Sequence, residues 1–223
     1  MRRTVSLVRC ALALAAALAL PLAAMAAEGP WLIHPAQNPV KLDGRLDDWS
    51  IPSGALGSLT WDQEALYLAV DAPDAHPTFA DDTSRDFAGS DRVVLLVSTA
   101  PEASAERSDK LGERDYAFVF TPDSRYRRPL KTVYGFGGHE HVELDLRQVT
   151  VAARVTASRY QLEARIPWSL LGVTPAPGQT LRVAVLRFDA TAGGPGRATD
   201  LWGRPVPGPV GRSLMSPVSL GSA

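Results

Sequence analysis

Apolar and polar residues alternate with a period of two along much of this chain. Tyr160 to Ile166 is the clearest case. Tyr160, Leu162, Ala164 and Ile166 fall on one face, and Gln161, Glu163 and Arg165 on the other, which predicts a strand with that second face toward water. Val149 to Thr156 alternates as well, and the short link Ala157-Ser158-Arg159 predicts a hairpin between the two runs. Leu66, Leu68 and Val70 share a face of another short run. Val93 to Val97 is apolar on both faces, which predicts a central strand covered on both sides. Further strands are expected at Gly57–Trp61, Tyr116–Thr121, Lys131–Tyr134 and Leu181–Phe188, with Pro217–Leu220 closing. Helical periodicity is confined to Pro167–Gly172, where Pro167 suits a first turn and Gly172 a stop. Three stretches read as long loops: Asp71–Ser90, Ala100–Glu113 and the Gly/Pro-rich Thr191–Arg212.

Eighteen Pro and eighteen Gly punctuate these runs, and no repeat or linker divides them. Many short strands in one unit predict an all-β fold, an antiparallel β-sandwich of jelly-roll type.

The N-terminus stands apart from that pattern. Arg2, Arg3 and Arg9 precede and flank an apolar run from Cys10 to Leu20, too short to span a bilayer. Ala24-Met25-Ala26 places small residues at −3 and −1 of a cleavage site. Residues 1–26 are therefore expected to be a cleaved signal peptide, and 27–223 a single domain in the periplasm or outside the cell. Cys10 is the only cysteine, so the mature domain is expected to lack disulfides. The chain holds 23 Lys and Arg against 24 Asp and Glu; loss of the three arginines leaves 20 against 24, a formal charge of −4. That balance argues against nucleic acid or an anionic membrane as a partner. No second apolar run of membrane length follows. Oligomeric state is not legible.

Four segments, in order, carry a family resemblance. They are Val40–Trp49, reading Val-Lys-Leu-Asp-Gly-Arg-Leu-Asp-Asp-Trp; Leu59–Val70 with Asp74–Pro77; Ser90–Thr99; and Tyr160–Gly172, with Gly178–Leu181 and Trp202 after it. Together the chain resembles a family 9 carbohydrate-binding module, in the wider DOMON-like group of sandwiches. The resemblance implies a sandwich fold and sugar binding. Residue by residue, plain structural roles also suit the motifs. Asp43-Gly44 suits a turn, Asp47-Asp48-Trp49 a short capped turn with Trp49 plugging the core, and Trp168 packing under the sandwich edge.

A sugar ring offers a C–H face and a rim of hydroxyls, so its site needs exposed aromatic planes and hydrogen-bonding side chains. In the family, two Trp side chains clasp a terminal sugar. Trp202 matches one of them, and Phe87 is the aromatic nearest the other position. Arg92 and Arg204 lie beside them as hydroxyl partners. The family's Glu in the strand after Asp91 is Val94 here, which accepts no hydrogen bond; losing such a partner costs on the order of 1–3 kcal/mol.

An acidic loop, with Asp74, Asp81 and Asp82 foremost and Asp86 and Asp91 beyond, suits Ca²⁺, which takes oxygen ligands, and family members often hold a structural Ca²⁺. Its spacing is not that of an EF-hand, so a solvated acidic loop is the other reading, with Asp91 anchoring the turn into its strand. His139 and His141 share a face if extended, but a third metal ligand is not apparent. Haem would need axial residues among Met215, His34, His76, His139 and His141, whose spacing is not recognisable. Nucleophile and metalloprotease motifs are missing, so an enzyme is not expected. The expected function is that of an exported, non-catalytic sugar-binding domain. The alternatives are a structural or protein-interaction sandwich that has lost the sugar site, and a haem-binding electron-transfer module.

Overall fold

Period-two alternation becomes two packed sheets in the computed structural model. It describes residues 31–78, 80, 87, 89–100, 110–124, 127–137, 140–143, 145–190, 197–206, 210 and 212–222. The expected signal peptide lies outside the described residues. The strands are β1 (Trp31–Ile33), β2 (Gly57–Trp61), β3 (Ala65–Pro73), β4 (Arg92–Ser98), β5 (Asp115–Thr121), β6 (Leu130–Gly137), β7 (Glu140–Glu143), β8 (Thr150–Val155), β9 (Arg159–Pro167), β10 (Thr180–Asp189), β11 (Arg197–Asp200) and β12 (Ser216–Leu220). One helical turn, α1 (Trp168–Leu171), follows β9. No described helix is long and apolar enough to cross a membrane.

The long sheet runs β1-β12-β10-β4-β5-β6-β7, with β11 also on β10; the short sheet runs β2-β3-β9-β8. Among the described strands, β1 and β12 alone pair in parallel. Every strand expected from alternation is present, and the 149–166 hairpin forms as β8–β9. β3 continues past Val70 because Asp71, Ala72 and Pro73 keep pairing with β9, so the loop expected from Asp71 begins at Asp74. β1, β7 and β11 were not expected. Each has three or four residues, too few to show a period, and β11 lies inside the Gly/Pro-rich stretch.

Leu68 and Val70 of β3 and Leu162 and Ile166 of β9 meet Val93, Leu95, Phe118 and Val185 of the long sheet between the layers. Each fully buried side chain of this size contributes roughly 1.5–3 kcal/mol. The prediction for β4 holds: Val93, Leu95 and Val97 face this core, while Val94 and Leu96 join a second apolar cluster on the sheet's other face. Trp168 is buried in the main core, its indole N–H donating to the Asp62 carbonyl at 2.8 Å.

Glu163 departs from the alternation. Its place in β9 predicts exposure, yet it is fully buried. The segment before β2 folds over it. The N–H groups of Asp43 and Gly44 donate to Glu163 Oε2 at 3.0 and 2.6 Å, and Trp49 Nε1 donates to Oε1 at 2.9 Å. Gly44 has φ +80, and a Cβ there would lie 2.8 Å from the Ala153 carbonyl carbon, so only glycine fits. Asp43 makes the expected turn, accepting from Arg45 N at 2.9 Å. Trp49, expected to plug the core, is instead half-buried with its indole on Glu163. Burial pushes the Glu163 carboxyl above its ordinary value, while the three donors pull against that shift.

Replacing Glu163 by Ala strands these donors. Glu163→Ala is expected to lose about 3 kcal/mol of unfolding free energy in urea titration; a loss below about 0.5 kcal/mol would show that the clamp is dispensable.

Candidate functional site

β10 carries two different strands on one edge. β12 pairs with it from Thr180 to Val183, and β11 from Leu186, opposite Asp200, to Asp189, opposite Arg197. Ala184 and Val185 fall between the two pairings. A cleft of about 780 Å³ opens along this side of the sandwich, lined by Val183–Leu186, by β1, by β2 and by the loop after β11. That volume is in the range of sites that bury most of a small ligand.

Trp31 and Trp202 stand in this cleft. Both are 41% exposed, and their rings meet edge to face with centroids 6.1 Å apart. Asp200 sets the geometry of the loop. Its Oδ1 accepts from Trp202 N and Arg204 N, both at 2.9 Å, and its Oδ2 from Arg204 Nε at 2.6 Å. Gly203 supplies the left-handed turn, φ +72, that reverses the chain between them. The charged and amide side chains of the cleft, among them Asp48, Asn38 and Arg204, are exposed, and Asp200 is half-buried. Trp49 lines the same cleft, so the Glu163 clamp also shapes its wall.

A second constellation gathers where β3, β4 and β10 end. Ligand oxygens of Asp74, Asp91 and Asp189 lie within 4.8 Å of one another. Asp91 is fully buried; it accepts from Thr78 N at 2.5 Å and Ala190 N at 2.8 Å, which ties two loops to the start of β4 as expected. Arg187 reaches Asp189 Oδ2 at 3.0 Å and Asp74 Oδ2 at 3.7 Å, and donates to the Pro73 carbonyl at 2.9 Å. Asp74 Oδ2 is buried without a hydrogen-bond partner. Burial pushes the Asp91 carboxyl up to about 6, and the Asp74 charge adds to this, against the two N–H donors. Three carboxylates facing one guanidinium leave an excess of negative charge, which suits a divalent cation with hard oxygen ligands. Of the residues expected to hold calcium, Asp74 belongs to this cluster, in the company of Asp91 and Asp189, whereas Asp81 and Asp82 lie outside the described residues.

No family model and no curated protein matches the chain. Solved structures do. Two structures of a family 9 carbohydrate-binding module from Caldicellulosiruptor kristjanssonii, one in complex with cellotriose and one with glucose, superpose with TM-score 0.58 at 18% identity. They cover 86% of this chain, and 94% and 97% of theirs. The fold is that of a family 9 carbohydrate-binding module. A Bacteroides uniformis protein, a candidate carbohydrate-binding protein, matches at TM-score 0.51 and 14% identity over 74% of this chain and 77% of its own.

Set on this fold, the expected sugar residues separate into two groups. Trp202 and Arg204 are in the cleft. Phe87 and Arg92 are not among its lining residues. Phe87 is 6% exposed and packs in the second apolar cluster with Val94, Leu96, Val119 and Leu186. Arg92 lies over the Phe188 ring, 4.2 Å from its centroid, and Nη1 donates to the Phe87 carbonyl at 3.4 Å. An apolar Val94 and Phe87 turn that face of the long sheet into a second core instead of a polar site. Trp31 was missed because its strand is short and its partner lies at the other end of the chain. The available signal was a Trp close behind the expected cleavage site.

Met215 is buried in the second cluster, while His34 and His76 are exposed, so these residues do not form an axial pair. His139 lies outside the described residues, and His141 pairs with Phe136 through β7 and β6.

Proposed function

We propose that this is an exported, non-catalytic carbohydrate-binding domain whose site is the cleft holding Trp31 and Trp202. The observation that carries this is the pair of exposed indoles, held at right angles beside exposed polar side chains. Two faces at a corner give a sugar ring a C–H platform and a side wall, and Asp48, Asp200 and Arg204 offer hydroxyl partners. The neighbouring structures with cellotriose and glucose support sugar as the ligand class. Isothermal titration of the mature domain with glucose and cello-oligosaccharides should give saturable heat. Trp202→Ala and Trp31→Ala should each weaken binding about tenfold or more, near 1.4 kcal/mol. Unchanged affinity in both variants would move the site elsewhere.

The apolar second cluster favours another reading, in which the sandwich has lost sugar binding and serves as a structural or protein-interaction domain. Silence toward every sugar in the same titration would favour it.

We also propose that Asp74, Asp91 and Asp189 hold a structural Ca²⁺. The buried Oδ2 of Asp74, which lacks a hydrogen bond and has Arg187 only at 3.7 Å, supports this. The ion would tie the ends of β3, β4 and β10 together, with no part in any reaction. Calcium about 100-fold above its Kd should stabilise the fold by roughly 2.7 kcal/mol, read as a higher Tm than in chelator. Asp189→Ala should abolish that response; an identical Tm with calcium and chelator would exclude the ion.

The segment before Ala27 supports export by signal-peptide cleavage. The intact mass of protein recovered from the periplasm or medium should begin at Ala27, and retention of residues 1–26 would overturn this.

A further inference from the structure

Backbone pairing leaves one donor of β10 over. In an antiparallel ladder each residue turns its N–H and its carbonyl to the same neighbouring strand, and successive residues turn to opposite neighbours. The bonds at the ends of the paired segments fix that alternation here. Leu220 N donates to the Gln179 carbonyl at 2.9 Å, while Gly221 N turns the other way, to the Ile33 carbonyl of β1, at 2.8 Å. The residues of β12 that turn to β10 are therefore Ser216 and Val218, opposite Val183 and Leu181. In β11, Ala198 and Asp200 turn away from β10, since Val206 N donates to the Ala198 carbonyl at 2.9 Å and Asp200 N to the Arg204 carbonyl at 3.0 Å. Arg197 and Thr199 are left to turn to Asp189 and Arg187. Along this edge the odd-numbered residues of β10 thus point outward, and Val185 is the one of them between Leu181 and Asp189 with no strand residue opposite. The next place along β11 is that of Leu201, but the Leu201 carbonyl accepts from Leu56 N at 2.5 Å. Among the described residues, no carbonyl is turned to the Val185 N–H. A buried main-chain donor left in that state is rare in a native fold.

The cleft reaches this donor from the right direction. Val183 and Val185 belong to one face of the long sheet and Ala184 and Leu186 to the other, yet all four line the cleft. Only an edge-on approach touches both faces, and edge-on is the direction in which the N–H points. A lone donor suits an oxygen that accepts and does not donate. A hydroxyl brings a proton of its own, which would need an acceptor in turn. A carboxylate only accepts, but Asp48 and Asp200 line the same cleft and repel its charge, and Arg204 is already held by Asp200 at 2.6 Å. An acetyl carbonyl accepts, carries no charge and strands no donor.

We propose that the cleft selects an acetylated sugar, with its ring on the Trp31–Trp202 corner and its acetyl carbonyl on the Val185 N–H. This rests on the sugar-binding reading above and adds the substituent that the site reads. Trp202 directly follows the residue whose place lies opposite Val185, which keeps corner and donor in one site.

The test uses the intact mature domain and two matched pairs of ligands. One pair is N-acetylglucosamine and glucose. The other is an acetylated xylo-oligosaccharide and the same compound after mild alkaline deacetylation. The pairs separate an amide-borne from an ester-borne acetyl group. Isothermal titration should show the acetylated member binding at least tenfold more tightly in one or both pairs. Amide NMR reads the donor itself: the Val185 proton should shift downfield with the acetylated member, and by more than the protons of Val183 and Arg187. Equal affinities within both pairs, with sugar still bound, overturn acetyl selection and leave sugar binding standing. No binding by any of the four overturns both. An acetyl preference that leaves the Val185 amide resonance unmoved overturns Val185 as the donor.

Discussion

The buried carboxylate of Glu163 has no water to turn to, and the chain brings three N–H groups to it. Two come from the backbone at Asp43 and Gly44, and the third from the Trp49 indole. This clamp joins the segment ahead of the sandwich to the middle of β9, across more than half the chain. Without it a charge would stand unpartnered in the protein interior, which is among the costliest arrangements a fold can hold. With it, the Val40–Trp49 segment becomes a fixed wall of the cleft. Trp49 serves both ends of this connection, since its N–H holds Glu163 while its side chain lines the cleft.

The long sheet is buried on both faces, and this sets what each face can do. One face packs on the short sheet. On the other, Val94, Leu96, Val119 and Leu186 gather Phe87 and Met215 onto themselves. The exposed aromatics stand at the sandwich edge instead, where the parallel β1–β12 pair and the β10–β11 pair bring Trp31 and Trp202 together. The ends of β3, β4 and β10 are held in another way, by Asp91 bonded to two loops and by Arg187 among carboxylates. Apolar packing thus fixes the sheets, and buried charge fixes how the loops leave them.

Much of the fold was legible because alternation reports burial directly. β8 and β9 are long enough for a period of two to appear, and β4 shows as an apolar run bounded by polar residues. The three short strands do neither, and they are the ones that build the cleft edge or cap the far end of the sheet. In the candidate site, Trp202 and Arg204 were legible from a single loop in which Asp200 faces its own neighbours in sequence. Trp31 was not, because its meaning depends on a partner from the opposite end of the chain. The burial of Phe87 was not legible for the converse reason. An aromatic residue in a polar stretch suggests exposure, but a nearby apolar sheet face gave it somewhere to go.

Local pattern, then, determined what local physics controls: strand positions, the hairpin, the turn at Asp43-Gly44, and a sandwich as the way to bury so many one-sided strands. Tertiary structure decided matters that need two distant segments at once. It buried Glu163 against the alternation of its own strand, because three donors from elsewhere stabilise a charge that water would otherwise keep. It brought Asp74 together with Asp91 and Asp189, from three separate stretches of the chain. It also brought Trp31 and Trp202 together in one cleft, beside the place where two strands share one edge of β10 and part at Ala184 and Val185.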